Sequence, residues 1–596
     1  MSSSKPKMDI APERNKTGKF SANLSYSLSG EAGLKKQVRG VLAFLFVSAI
    51  GTLGMWQVYH SQLSSGFDLF PGPRGDTRLS AYLIEHWYQV LSGHGDLLSP
   101  AMFYPVKGTL GFTDTYLGFV PAYSLLRVSG YDIFSALSVT VILLNFLNFI
   151  SCFVFLNRVL KFNAIASCTG AMFFAFNNPK LAQGDHLQLQ PVFLLPIIVG
   201  SIIQFFSKGK SLSSRQAFGL LTVAALCLNL QLFTSFYIGW FFVFWSFLLL
   251  SVSLLFRQAR LFILETIRRH WVSLTGAIVV FVVGFVSFLV VYLPAVSSVG
   301  WFGFYTDYIP EIQSYLLMAD GNYIWGPLTA SILEKASGGP DWGRRIGVGL
   351  VPSAAWIAIS LFGIWTIKKY LKMPPAMDYK QQGSHVGYLF FGLMILATNL
   401  LVLVALQYHG HTLWKLVYFF FPGARSIRAV ARFVIVLALP MAIAFAFLVQ
   451  HAMQWIGTRK HASTRAWLIT ATVLVISFGL FEQFNSEDGQ YYSISAENAR
   501  LEKLAGKLPD KCSSFYVATA PAVPAEQDSF QNQNYMHDAM LVSILRGVPT
   551  LNGRSGKNPP GWSLRNVRAP EYEENVRRWI ARHSITGTVC RLVVEN

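Results

Sequence analysis

VRGVLAFLFVSAIGTLGMWQVY, residues Val38 to Tyr59, is an apolar run long enough to cross roughly 30 Å of hydrocarbon at about 1.5 Å per residue. Lys35, Lys36 and Arg39 flank its start, which keeps the preceding residues cytoplasmic and brings the next polar stretch to the outer face. That stretch contains Gly75-Asp76-Thr77-Arg78. From there Leu79, Tyr82, Leu83, His86, Trp87, Val90 and Leu91 recur at helical spacing and make one apolar face. The opposite face is too polar to span, so the spacing predicts a helix lying in the outer interface. Asp76 stands at its start, where a carboxylate either caps the helix or is free for chemistry.

The rest of the chain has the composition that this first run announces. Of 596 residues, 53% are hydrophobic, 15% aromatic and 13% charged, the balance of a polytopic membrane protein. The net charge of +19 does not indicate a nucleic-acid partner, because Lys and Arg are scattered through short loops between apolar runs. Positive-inside topology and anionic membrane lipids account for it. Residues 1–37 are Ser, Lys and Asn rich, without an apolar signal core, and read as a disordered cytoplasmic tail.

Further spans are expected at Phe134–Leu156, Ala164–Phe176, Leu189–Phe206, Ala217–Phe233, Tyr237–Phe256, Val272–Leu293, Gly347–Ile367, Val386–Leu406, Val430–Gln450 and Ala466–Leu480. Arg158 and Lys161; Lys208, Lys210 and Arg215; Arg257, Arg260, Arg268 and Arg269; Lys368, Lys369 and Lys372; and Arg459, Lys460 and Arg465 mark the cytoplasmic loops. These assignments agree only if the short Pro-containing stretch Thr115–Val128 is re-entrant or interfacial. The expected fold is an all-α polytopic bundle of about eleven spans with the C-terminus outside. Residues 38–483 form the membrane part, with outer connections at 60–133, 177–188, 294–346 and 408–429. Residues 484–596 have ordinary polar composition, with strand-like Ser514–Ala518 and Gly587–Val594, and form a small outer α/β domain.

Cys152, Cys168 and Cys227 fall in apolar spans, as small core residues do. Cys512 and Cys590 sit at the strand-like segments on an oxidising face and are expected to pair. No zinc-type Cys/His spacing occurs.

Ionisable residues are almost absent from the spans, which argues against ion-coupled transport. They gather at the outer rim. The second outer connection carries Gly184-Asp185-His186-Leu187, whose acid and imidazole could accept a proton, contact a phosphate, hold a metal or cap a helix. The third mixes Asp307, Glu311, Asp320, Glu334 and Asp341 with aromatics, as a sugar site or an aromatic belt would. The fourth reads Phe421-Pro422-Gly423-Ala424-Arg425-Ser426-Ile427-Arg428-Ala429-Val430-Ala431-Arg432-Phe433. On a helix Arg425, Arg428 and Arg432 form one stripe. Three cations at an outer membrane face run against the positive-inside bias; they either snorkel at the rim or bind an anion such as a lipid-linked phosphate.

The acid after the first span, the interfacial helix, Tyr104-Pro105, Gly184–Leu187 and the Pro422–Phe433 run together resemble the GT-C superfamily. These are membrane glycosyltransferases that use polyprenyl-phosphate-linked sugars, and the likeness is to their bacterial branch. It covers most of the membrane part, and Val548–Gly556 looks like the outer domain of such proteins. It implies an enzyme of the bacterial cytoplasmic membrane in which Asp76 is the catalytic base. Arg425, Arg428, Arg432, Asp185, His186 and Arg78 would bind the donor phosphate. There is no Asp-x-Asp second motif, so a divalent cation (magnesium or manganese) has only Asp76, Asp185 and His186 as candidate ligands. The expected reaction is inverting transfer from a polyprenyl-phosphate sugar to a glycan, lipid or protein acceptor at the cell surface. A lipid-linked glycan translocase and a non-catalytic membrane scaffold are the readings from other classes.

Overall fold

The computed structural model describes residues 45–209, 211–329, 342–371, 379–485, 491–519 and 529–594. The expected tail at 1–37, the start of the Val38–Tyr59 run, Lys210, Glu334, Asp341 and Lys372 lie outside the described residues. Residues 45–64 are one continuous helix.

Among the described residues nine helices are long and apolar enough to cross a membrane: Ile133–Val159, Leu187–Ser207, Ser214–Thr234, Phe236–Leu255, Trp271–Val299, Leu350–Leu371, Gly387–Val404, Val430–Gly457 and Ala462–Phe481. Two expected spans differ from these. One is the helix at 45–64, whose beginning is outside the described residues. The other, Ala164–Phe176, has 13 residues and rises only about 20 Å. It starts where Asn163 accepts the Ala166 N–H at 2.9 Å and stops at Asn177, which caps the next helical turn through the Lys180 N–H. The stretch Thr115–Val128 contains a helix of only nine residues, Val120–Val128, too short to cross.

The Phe433–Gly457 helix is apolar on all sides and is accordingly the buried centre of the bundle, with every residue from Phe433 to Phe447 buried. Gly170 permits its closest approach, since a Cβ there would lie 2.7 Å from the Ala442 carbonyl oxygen. Three residues on, Phe173 meets Phe445 edge to face at 4.6 Å. Trp271–Val299 and Ala462–Phe481 instead expose apolar faces such as Val279, Val283, Trp467 and Leu474, the surface a bilayer covers.

The four polar connections do meet at one end of the bundle. The Asn178 N–H donates to Gln483 Oε1 at 3.1 Å, and its side-chain amide donates to the Gly347 carbonyl at 2.8 Å. The Gln407 N–H reaches the Pro310 carbonyl at 2.9 Å, and the Phe302 N–H reaches that of Arg425 at 3.2 Å.

At that end sits the C-terminal α/β domain. Strands Ser514–Thr519 and Val589–Val594 pair in parallel with Phe515 opposite Cys590, and the helices Ile494–Gly506, Ser529–Arg546 and Tyr572–Arg582 accompany them. Cys512 and Cys590 form a disulfide with Cα atoms 5.7 Å apart. The domain is stitched to the segment before the short helix: the Thr550 N–H donates to Ala101 O at 3.0 Å, Phe103 N–H to Asn552 O at 3.0 Å, and Tyr104 N–H to Thr550 O at 2.9 Å.

The Asp76–Leu91 helix does not lie in the outer interface with a wet polar side. Thr77 through His86 are all buried. Its polar side is satisfied by protein: Glu85 accepts from Arg127 at 2.8 Å and from Tyr123 at 2.6 Å, and Arg78 is matched by carboxylates of the outer domain. A periodicity argument counts apolar positions and cannot see partners that arrive hundreds of residues later.

Candidate active site

Asp76 is the first helical residue, and Gly75 before it supplies no side-chain cap. No hydrogen bond ties the Asp76 carboxylate to its own helix among the described residues, so capping does not use it. Gly72, at φ +131°, brings a second loop against this turn; a Cβ there would stand 3.3 Å from the Gly184 carbonyl oxygen and 2.9 Å from Thr77. The loop delivers His186, whose Nε2 lies 4.0 Å from Asp76 Oδ2 and whose Nδ1 lies 2.7 Å from Asp185 Oδ1. Burial alone would raise the Asp185 carboxyl, but His186 and then Arg432 hold it below the usual value. Asp76, Asp185 and His186 are thereby brought together, with ligand atoms all within 4.8 Å of one another. Two carboxylates and an imidazole suit a divalent cation of the magnesium or manganese kind.

A further acid belongs here that no motif marks. Asp114 accepts the Phe236 N–H at 2.8 Å from the start of the Phe236–Leu255 span. Burial pushes its carboxyl up, against the pull of that N–H, of Arg432, of Gln188 and of His186. Beside it the Ser80 hydroxyl donates to the Asp76 carbonyl at 3.1 Å and contacts the Tyr116 hydroxyl at 3.0 Å, and that phenol donates to Gln188 Oε1 at 3.0 Å. The one signal in the sequence is a lone acid, Thr113-Asp114-Thr115, between two apolar stretches and immediately before the short re-entrant one.

The three arginines of the fourth connection are not a helical stripe. Ala424–Ser426 and Val430–Arg432 are single 3₁₀ turns separated by extended Ile427, and the helix proper starts at Phe433. The side chains fan over aromatic rings instead. Arg425 is over Tyr418 at 5.9 Å, Arg428 over Tyr308 at 5.4 Å and Phe302 at 5.8 Å, and Arg432 over Tyr237 at 4.8 Å. Tyr237 fixes the turn by accepting the Arg428 N–H at 3.1 Å and the Ala429 N–H at 3.3 Å. None of the three is ion-paired among the described residues.

Arg78 is corrected. It is fully buried, with its Nε 2.9 Å from Glu497 and a terminal nitrogen on Asp538, so its charge is spent inside the protein and no phosphate can reach it. An arginine of the outer domain, Arg554, lies within the electrostatic reach of Asp76. Burial depresses its guanidinium, Asp76 pulls it back up, and Arg565 and Arg428 depress it further. Two carboxylates of the third connection are taken by local partners, Glu311 by Arg344 at 3.3 Å and Asp320 by Arg345.

No family model matches the chain. No curated protein matches it either. Among solved structures it is similar to ArnT from Cupriavidus metallidurans bound to undecaprenyl phosphate, at 10% identity and a TM-score of 0.34, over 86% of this chain and 85% of that one. The apo state of the same protein gives 10% identity and a TM-score of 0.35 over 87% and 86%.

Proposed function

We propose that the chain is an inverting glycosyltransferase that moves a sugar from a polyprenyl-phosphate donor to a cell-surface acceptor at the outer face of a bacterial cytoplasmic membrane. The observation that carries this is the pairing, at one end of an apolar bundle, of a carboxylate released from capping with arginines that have no carboxylate partner. Asp76 accepts the proton of an acceptor hydroxyl as its oxygen attacks the anomeric carbon. The bond from that carbon to the phosphate oxygen breaks, and its electron pair leaves on the phosphate. Arg425, Arg428 and Arg432 bind that phosphate and stabilise the charge it gains. His186 lies beside the base and would orient it, and the Asp114 carboxyl, which feels the Arg432 charge, would steady that arginine. Asp76, Asp185 and His186 would hold a divalent cation, whose charge would offset that of the departing phosphate.

The N-terminus is cytoplasmic and the C-terminal domain outside in this reading, which the loop charges support. A lipid donor supplied from within the bilayer explains why no Gly-x-Gly-x-x-Gly or Walker A run is present. The test is transfer of sugar from a polyprenyl-phosphate sugar in liposomes containing the purified protein, scored beside movement of the labelled lipid between leaflets. Transfer supports the enzyme. Lipid movement without transfer identifies a translocase, and neither activity leaves a scaffold.

A further inference from the structure

A cavity of about 70 Å³ opens in the outer domain beside the candidate active site, and Arg554, Ser555, Lys557, Asn558 and Arg565 are among its walls. No carboxylate lines it, and neither Arg554 nor Arg565 is ion-paired among the described residues. The loop that carries these groups is held in place rather than draped over the surface. Gly553 is pressed so closely on Phe103 that a Cβ would stand 2.7 Å from its ring, and the Trp562 indole N–H donates to the Leu551 carbonyl at 3.0 Å. Lys557 reaches the carbonyl oxygen of Val299 at 3.3 Å and that of Gly300, at the end of the Trp271–Val299 span. Its ammonium lies 4.5 Å from the centre of the Phe302 ring, the same ring that Arg428 covers at 5.8 Å. Phe302 therefore joins the cationic loop of the outer domain to the membrane arginines.

We propose that Arg554 and Arg565 form a second anion subsite, distinct from the membrane arginines, which binds a phosphate group of a substrate alongside the donor phosphate held by Arg428. Two guanidiniums lining one cleft repel each other, and Asp76 offsets only part of the charge at Arg554; a phosphate relieves the remainder with charge-assisted hydrogen bonds. The contacts of Lys557 and Arg428 with the one Phe302 ring put the subsite next to the membrane arginines, and the charges of Asp76 and Arg428 both act on Arg554. The inference deepens the transferase reading and rests on it for the word substrate, but anion binding can be measured without turnover. The phosphate has two possible sources: the second phosphate of a diphosphate donor, or an anionic group on the acceptor.

The test measures binding to full-length protein in nanodiscs for three probes: polyprenyl monophosphate, polyprenyl diphosphate, and inorganic phosphate added to protein saturated with the monophosphate. Arg554→Gln/Arg565→Gln should leave monophosphate affinity unchanged and weaken one of the other two by about ten- to a hundred-fold. Loss of a parental preference for diphosphate over monophosphate assigns the subsite to the donor. Loss of the added inorganic phosphate assigns it to the acceptor. Arg565→Gln alone, on an exposed side chain, guards against misfolding of the double variant, and Arg554→Lys should recover part of the affinity. Parental affinities for all three probes in a folded double variant overturn the proposal. Anion binding is read without turnover, so a failed transfer assay leaves this result standing.

Discussion

Arg78 and Asp538, 460 residues apart, meet in an interior where the arginine has no solvent exposure; Arg500 joins the cluster with Asp538 at 2.6 Å and Glu497 at 2.8 Å, and Arg74 with Glu497 at 2.9 Å. The helix that begins at Asp76 is thus locked to the outer domain two residues into its first turn. Arg78→Ala removes one member of a buried network and leaves carboxylate charge only partly compensated by Arg500. It should destabilise the protein by about 3–5 kcal/mol. Thermal unfolding in detergent checks this, and a variant as stable as the parent shows that the cluster is not what joins the two parts.

The same cluster sets an acid limit. Burial alone would raise the Glu497 and Asp538 carboxyls, but Arg500 and Arg78 overcome it and hold both below their ordinary values of 4.5 and 3.8. A carboxyl whose folded value is depressed contributes its stability fully above the unfolded value and loses it as pH falls through the folded one. The contribution of this cluster should therefore be constant between pH 7 and about 5, and should fall away below about pH 4. In Arg78→Ala the acid-dependent loss should shrink, which unfolding curves across pH measure.

The disulfide Cys512–Cys590 closes a loop with a sequence separation of 78 and ties the edge of the two-stranded sheet to the segment that leads into it. Replacing both residues with serine should cost about 2–5 kcal/mol, confined to the outer domain. Limited proteolysis checks the confinement: cleavage should rise between residues 491 and 594 and stay unchanged in the membrane part.

Each feature is as legible in the sequence as the interaction behind it is local. The spans are legible because burial in lipid demands a long uniform stretch, and loop charge alone groups the polar connections that meet at one end of the bundle. The pairing of Cys512 with Cys590 is legible because strand-like segments flank both. The Arg425–Arg432 run reads as a helix and is not one, because residue spacing carries no information on where a 3₁₀ turn interrupts it. The surroundings of Arg78, Arg554 and Asp114 are hidden for one reason: a group that acts on each arrives from a distant segment, Asp538 for Arg78, Asp76 for Arg554 and the Phe236 N–H for Asp114.

At Gly72 backbone freedom and close packing coincide beside Asp76. Gly72→Ala forces a side chain onto a left-handed φ of +131°, onto the Thr77 methyl and close to the Gly184 carbonyl, so the turn bearing Asp76 and the loop bearing Asp185 and His186 should be pushed apart. The expected cost is about 1–3 kcal/mol of stability, together with a clear loss of transfer. If a divalent cation is held there, its affinity should fall in the same variant, which titration calorimetry on the purified protein reads separately from turnover.

The roles of Asp76 and Arg428 are separable because one acts on a proton and the other on a phosphate. Asp76→Asn keeps the size of the side chain and does not disturb a cap, since the carboxylate is not used as one. It cannot accept the acceptor's proton, so transfer should drop by roughly 10²- to 10⁴-fold while binding of a polyprenyl-phosphate donor is retained. Arg428 is exposed over Phe302 and Tyr308 and free of any carboxylate partner among the described residues, so Arg428→Gln should leave the fold intact. A phosphate bound in the ground state and the same phosphate departing in the transition state both lose a charge-assisted hydrogen bond worth about 1.5–3 kcal/mol, so donor affinity and turnover should weaken together. Donor binding and single-turnover transfer, measured on both variants in the same liposomes, distinguish the two patterns. Parental transfer by a folded Asp76→Asn protein would remove the base from the mechanism, whereas parental donor affinity in Arg428→Gln would move the phosphate to Arg425 and Arg432.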